Sequence, residues 1–285
     1  MIDLPELRDL LVEEVGKAET RVIASVELSL ARAKEDDITT LFVVEAGRGF
    51  KDATDSGRVA AAVRSDLENA YRARGCSPPT RLAHITDGLV ARVRKQSPAE
   101  EEKTGGDFGL LLLEPRFDIH WDTHLDLQRG GLKRGLLVQA KRRLRRGRWN
   151  QLTKTQLRRL SERMAYAALA RYEFGDTAGR RLQSFSWHPL SGLAISAVAE
   201  WLRAGAFPDA LGTSDVVGGL SRGEYGTSDQ AIIERDICPD AGSYLVIEVD
   251  WEDGADPEDV VFRVNREVAE EAVRQDQEVH IKLRA

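Results

Sequence analysis

Two short apolar runs carry polar groups at one end. Asp107, which follows Thr104-Gly105-Gly106, precedes Phe108-Gly109-Leu110-Leu111-Leu112-Leu113, and Arg134-Gly135-Leu136-Leu137-Val138 continues into Gln139-Ala140-Lys141. Both runs read as buried strands. Successive side chains on a strand alternate between faces, so Gln139 and Lys141 share a face about 6.6 Å apart at ~3.3 Å per residue. Burying an amide and an ammonium costs free energy unless each meets a partner. An acid, an amide oxygen and a lysine gathered at strand ends suit metal-assisted attack on a phosphate. The carboxylate would hold Mg²⁺ or Mn²⁺, the metal would polarise the phosphate and activate water, and the lysine would orient that water or stabilise the developing charge.

The elements that must position these groups are read from hydrophobic spacing. Leu7, Leu11, Val15, Ala18, Val22 and Val26 recur at helical spacing, as do Val59, Val63, Leu67 and Tyr71 in a segment that stops at Gly75. After a break at Cys76-Ser77-Pro78-Pro79, Leu82, Ile85, Leu89 and Val93 form a third helical stripe that ends at Ser97-Pro98. Asp37 to Val44 fits a capped helix and a strand equally. Phe117 to Gly131 suits a hairpin arm, and a long helix is expected from about Asn150 to Phe174, with Leu157, Leu160, Met164, Ala168 and Tyr172 on one face. A helix is expected near Ala194–Ala204. Strands are expected at Tyr244–Val249, Val260–Val264 and Val279–Leu283, with a helix around Glu267–Arg274. The spacing divides the chain into a helical region 1–79, a core 80–175 and a C-terminal α+β region 176–285.

With 285 residues, 42% hydrophobic and 31% charged, the composition is that of a globular protein and excludes a disordered chain or a membrane bundle. The start lacks a basic segment followed by an apolar one, and Cys76 and Cys238 are too few for a disulfide framework. The expectation is a cytoplasmic protein without membrane contact. The net charge of −6 conceals a polarised sequence. From Arg129 to Arg163 there are thirteen Lys or Arg and one acid, Glu162; from Glu224 to Glu278 there are seventeen acids and four Arg. The densest basic stretch is Lys141-Arg142-Arg143-Leu144-Arg145-Arg146-Gly147-Arg148. A solvated helix face is the ordinary explanation of a basic run, but charges this crowded repel one another unless a polyanion neutralises them, and phosphate is the natural partner. The acidic segment reads as a solvated edge, or as a screen over the basic one.

At these residues the sequence resembles a known family. Thr104-Gly105-Gly106-Asp107-Phe108-Gly109, a gap of about thirty residues, then Leu137-Val138-Gln139-Ala140-Lys141-Arg142 is similar to the active-site signature of the PD-(D/E)xK nuclease superfamily, in the Mrr-like restriction endonuclease branch with Gln in place of the second acid. The match covers roughly residues 80–175. It implies an α/β fold with a central mixed sheet flanked by helices; the spacing of the residues outside the match adds a helical N-terminal part and a small acidic α+β C-terminal region. It implies Mg²⁺-dependent (or Mn²⁺-dependent) endonuclease action on DNA, with Asp107 and Gln139 as metal ligands, the Ala140 carbonyl as a further one, and Lys141 as the catalytic lysine. The helix expected after the lysine, with Gln156, Tyr166 and Tyr172, is similar to its counterpart in many of these nucleases. Arg142, Arg143, Arg145, Arg146 and Arg148, with Gln156, are expected to hold DNA, double-stranded in the first instance. A role in bacterial defence against foreign DNA, beside partner proteins and as a homodimer, is what the resemblance implies.

A neutral Gln leaves such a site short of negative charge, since hard cations want carboxylate oxygens. A further acid should converge, with Asp87 the first candidate and Glu68, Glu100, Glu101 and Glu102 the alternatives. His120 and His124 flank Trp121-Asp122, but no Cys lies near to complete a zinc site, and packing or DNA contact from the hairpin is the plainer expectation. Trp149 suits an anchor for the next helix or a base-stacking ring. Gly105-Gly106 lacks a downstream Gly-Lys-Ser/Thr, which excludes a nucleotide-hydrolysing phosphate loop. The alternative function is a catalytically silent nuclease fold that binds DNA or serves assembly; RNA as substrate is a third.

Overall fold

A computed structural model of the chain describes residues 2–29, 34–79, 82–83, 85, 90–119, 125–142, 152–175, 182–204 and 210–241, together with 248–250 and 261–263. Among the described residues, the helices α1 (Pro5–Ser29), α2 (Glu35–Asp55) and α3 (Arg58–Ala73) precede strand β1 (Ala91–Lys95). A short α4 (Pro98–Thr104) leads into β2 (Phe108–Ile119) and β3 (Leu125–Arg142); α5 (Lys154–Ser161) leads into β4 (Ala167–Phe174) and β5 (Leu182–Pro189). The chain continues through α6 (Ile195–Ala204), α7 (Thr213–Arg222) and a tight helical segment at Gln230–Ile237. Beyond it, β6 (Glu248–Asp250) pairs antiparallel with β7 (Val261–Arg263). No described helix is long and apolar enough to cross a membrane.

The five-stranded sheet is mixed, ordered β1-β2-β3-β4-β5, with β3 and β4 parallel and the other neighbours antiparallel. Residues 108–113 of β2, 135–141 of β3 and 167–170 of β4 are buried on both faces, which is why these stretches read as nearly continuous apolar runs. Alternation sorts the side chains between two cores. Leu110, Leu112, Leu136, Val138, Ala168, Ala170 and Tyr172 pack with α1, α2 and α3, through Val15, Val22, Phe42, Val43, Val63 and Leu67 among others. Leu111, Leu113, Leu137, Ala167 and Leu169 pack on the opposite face with Leu160, Val198, Ile233 and Ile237. The larger cluster includes residues from Ile2 to Leu220, so it joins the N-terminal helices, the sheet and α7.

Two expectations are corrected. The stretch from about Asn150 to Phe174 is not one helix: α5 ends at Ser161, a 3-10 turn covers Met164–Tyr166, and Ala167–Phe174 is strand β4. Ala168 and Tyr172 are four apart, a spacing that fits one face of a helix and one face of a strand alike. Pairing with both β3 and β5 decides the matter by satisfying the backbone on two edges. The stripe ending at Val93 is likewise no helix at that end, because Val93 lies on β1 opposite Leu110. The undecided segment from Asp37 to Val44 belongs to α2, and Glu35, Asp36 and Asp37 in its first turn suit the positive end of the helix dipole.

The turn before β2 is tightly determined. Ser97 caps α4 and closes a capping box with Glu100, Pro98 occupies the first turn, and Gly105 ends the helix at φ 79°. A side chain at Gly105 would also meet the Gln156 carbonyl oxygen at 2.9 Å, so α5 packs directly on this turn. Two residues into β2, a Cβ on Gly109 would run into the Ile237 carbonyl oxygen and stand 2.8 Å from its Cγ2. Gly109→Ala should therefore cost about 1–3 kcal/mol in urea denaturation. Gly16→Ala, whose methyl would meet only Ser214 Oγ at 3.7 Å, should leave stability unchanged or raise it by up to about 1 kcal/mol.

Candidate functional site

β3 extends beyond β2 at the end where β2 begins. Phe108 faces Val138, and Asp107 N donates to the Val138 carbonyl at 2.7 Å, so the next pair outward is Asp107 with Gln139. On this edge of β3 the following N–H groups, those of Ala140 and Arg142, have lost their strand neighbour. Two carboxylates replace it. Asp107 Oδ2 accepts from Ala140 N at 2.5 Å, and Glu35 Oε2 accepts from Arg142 N at 2.8 Å. The same side chains gather the polar groups of the strand: Gln139 Nε2 donates to Asp107 Oδ2 at 2.5 Å and to the Ala140 carbonyl at 3.2 Å, while Lys141 Nζ donates to Glu35 Oε1 at 2.9 Å.

Gln139 and Lys141 are buried. Gln139 Oε1 is shielded from solvent and has no hydrogen-bond partner among the described residues, an arrangement that costs about 1–3 kcal/mol unless a ligand takes the oxygen. A cavity of about 550 Å³ opens beside the cluster, lined by Glu35, Asp36, Lys95, Glu101, Asp107 and Arg142 among others. Burial pushes the Asp107 carboxyl up to about 8; the nearby Glu35 and Glu101 add to the rise, and the Lys141 ammonium and the Ala140 N–H oppose it. Among the described residues no three His, Cys, Asp or Glu side chains form a metal-holding group. The donors present are of another kind: the Asp107 and Glu35 carboxylates, the Ala140 carbonyl, and the unpartnered Gln139 amide oxygen, which joins Asp107 and Ala140 only if the amide turns over, since its Nε2 now faces both. All are hard oxygens that suit Mg²⁺ or Mn²⁺.

The structure thus brings Asp107, Gln139, Ala140 and Lys141 together. Asp87 lies outside the described residues, as do Arg143, Arg145, Arg146, Arg148, His120, Trp121, Asp122, His124 and Trp149. Of the other acids considered, Glu101 lines the cavity, Glu68 pairs with Arg72 on α3, and Glu100 is held by Arg94 and by its capping role. Glu102 is exposed. The converging acid that sequence reasoning missed is Glu35, 106 residues from Lys141. Arg142 lines the cavity, with its guanidinium 4.8 Å from the Phe174 ring centre. Gln156 completes the capping box of α5 with Thr153 and donates to Glu101 Oε1 at 3.1 Å. Tyr172 is bonded to Thr39, and Tyr166 to Asp236, both inside the fold. No protein-family model matches the chain, and no curated protein matches it.

The raised pKa of Asp107 makes stability depend on pH. Unfolded, the carboxyl titrates near its ordinary 3.8; folded, it keeps its proton to about 8. Its contribution is therefore complete below about pH 4 and is lost as pH rises towards 8, by at most about 1.4 kcal/mol per pH unit for one proton. In EDTA, the denaturation midpoint of the wild type should fall between pH 5 and pH 8, and Asp107→Asn should flatten that fall. Equal slopes would show that Asp107 is ionised across the range.

Proposed function

We propose that the chain is a metal-dependent endonuclease that cuts DNA phosphodiester bonds. The observation that carries this reading is the meeting of Asp107, Gln139 and Lys141 at one end of a mixed sheet, with Glu35 converging on them beside a cavity. Asp107, the Ala140 carbonyl and, once its amide turns over so that the oxygen replaces the Nε2 now facing these two, Gln139 would hold the divalent cation, and Glu35 brings a further acid whose charge is matched by Lys141 in the unliganded chain. A bound cation supplies Lewis-acid polarisation of the phosphate and a more acidic water. Lys141 provides a fixed positive charge where negative charge develops on the phosphate oxygens, and burial makes that charge count for more than it would in water. Arg142 places a further cation at the cavity wall, and the basic run after it continues the attraction for a polyanionic backbone. The fold class of a central mixed sheet with helices on both faces is in keeping with a PD-(D/E)xK nuclease. Bacterial defence, partner proteins and a homodimer rest on the sequence resemblance. Cys76 and Cys238 are both free thiols, in keeping with the reducing cytoplasm we propose as its compartment.

A second reading is a silent nuclease fold that binds DNA without cutting it. It is favoured by Lys141, whose ammonium is taken by Glu35 and which is not among the residues that line the cavity. Incubation with plasmid, single-stranded DNA and RNA, each with Mg²⁺, Mn²⁺ or EDTA, separates the readings. The wild type should nick plasmid only with metal, and Asp107→Ala or Lys141→Ala should abolish nicking while circular dichroism shows a folded chain. Wild-type cutting by both variants would falsify the assignment, and salt-sensitive binding with no cutting would establish the silent reading. If about six cations of the basic run meet phosphates, DNA affinity should fall roughly 10³-fold between 50 and 200 mM salt. A flat salt response would remove the run from the interface.

A further inference from the structure

Lys95 closes β1 opposite Phe108, so it stands on one side of Asp107 as β3 stands on the other. Glu35 and Asp36, consecutive at the start of α2, take one lysine each: Glu35 takes Lys141 at 2.9 Å and Asp36 takes Lys95 at 2.5 Å. The two pairs are unlike. The Lys141 side chain is 4% exposed and Glu35 20%, whereas Lys95 is 24% exposed and Asp36 75%. A pair whose acid is this open to solvent contributes little and yields easily to a competing anion. Lys95 Nζ also donates to Thr40 Oγ1 at 2.8 Å, which fixes the ammonium at the wall of the cavity that Asp107 and Arg142 line. An ammonium has three donors, and Asp36 and Thr40 account for two. Neither the apolar pattern nor the basic run singles out this residue.

Building on the nuclease reading, we infer that Lys95 is a substrate-binding lysine that holds a phosphate flanking the scissile one. The substrate class is then a polynucleotide strand with at least one phosphate beyond the bond that is cut. Lys141 serves the phosphate under attack, and Lys95 serves its neighbour. Asp36 holds Lys95 in place until the nucleic acid arrives and is exchanged for the phosphate oxygen.

The test uses the full chain with a labelled DNA duplex, binding being measured in Ca²⁺ and cleavage in Mg²⁺. Lys95→Ala should weaken binding about tenfold, reduce the slope of log affinity against log salt by about one, and raise KM while kcat stays within about twofold. Lys95→Arg should restore binding, and Asp36→Asn should bind as tightly as the wild type or tighter. Hydrolysis of bis(p-nitrophenyl) phosphate, which has no flanking phosphate, should be unaffected by Lys95→Ala. The inference is overturned if Lys95→Ala binds and cuts the duplex as the wild type does. It is overturned too if Lys95→Ala and Asp36→Asn lose binding alike, since the pair would then serve only the fold. A wild type that binds duplex but cuts in no metal overturns the nuclease reading and leaves Lys95 judged by binding. A wild type that does not bind nucleic acid overturns both.

Discussion

Strand β3 runs four residues past the start of β2, and each backbone N–H that this overhang exposes towards β2 has to find an acceptor. Asp107 and Glu35 meet that demand in turn, so two acids are placed side by side by a main-chain requirement. Once there, they draw in the polar side chains of the overhang. Gln139 turns its amide to Asp107, Lys141 turns its ammonium to Glu35, and the Gln139 oxygen is left without a partner among the described residues. The chemistry proposed for the site follows from this accommodation. The α4 turn and the close approach of Ile237 to Gly109 matter because they fix where β2 begins.

The site works against the stability of the fold that carries it. A carboxyl with its pKa pushed up to about 8, with further acids nearby, is a group that burial has made reluctant to ionise. Buried ion pairs such as Lys141 with Glu35 repay their desolvation only when geometry is good and every remaining donor is matched. Apolar replacements would pack more easily at these positions. Electrostatic strain of this kind is what a bound cation relieves, which links the cost in the isolated chain to the binding proposed for it.

Strands β2 and β3 could be read from the amino acids, because segments buried on both faces leave uninterrupted apolar runs, and Asp107, Gln139 and Lys141 stood out as polar residues at the ends of these two runs. Strand β4 was misread for the complementary reason: Ala167-Ala168-Leu169-Ala170 offers no pattern to distinguish a strand from a helix until its neighbours are known. Glu35 was illegible because an acid in the first turn of a helix is sufficiently explained by the helix dipole. Its approach to β3 depends on how α2 packs across the sheet, a contact between residues more than a hundred positions apart. Lys95 was hidden likewise, an ordinary lysine near the end of what the spacing gives as a helix, until β1 and the cavity beside it are seen.

The central claim is that this oxygen cluster is a divalent-cation site serving phosphodiester cleavage, and an anomalous difference map from crystals grown with Mn²⁺ tests it most directly. The account predicts one Mn²⁺ peak per chain within coordination distance of Asp107, Gln139 Oε1 and the Ala140 carbonyl. A well-ordered map with Asp107 and Gln139 still bonded only to each other, and no peak beside them, would contradict it.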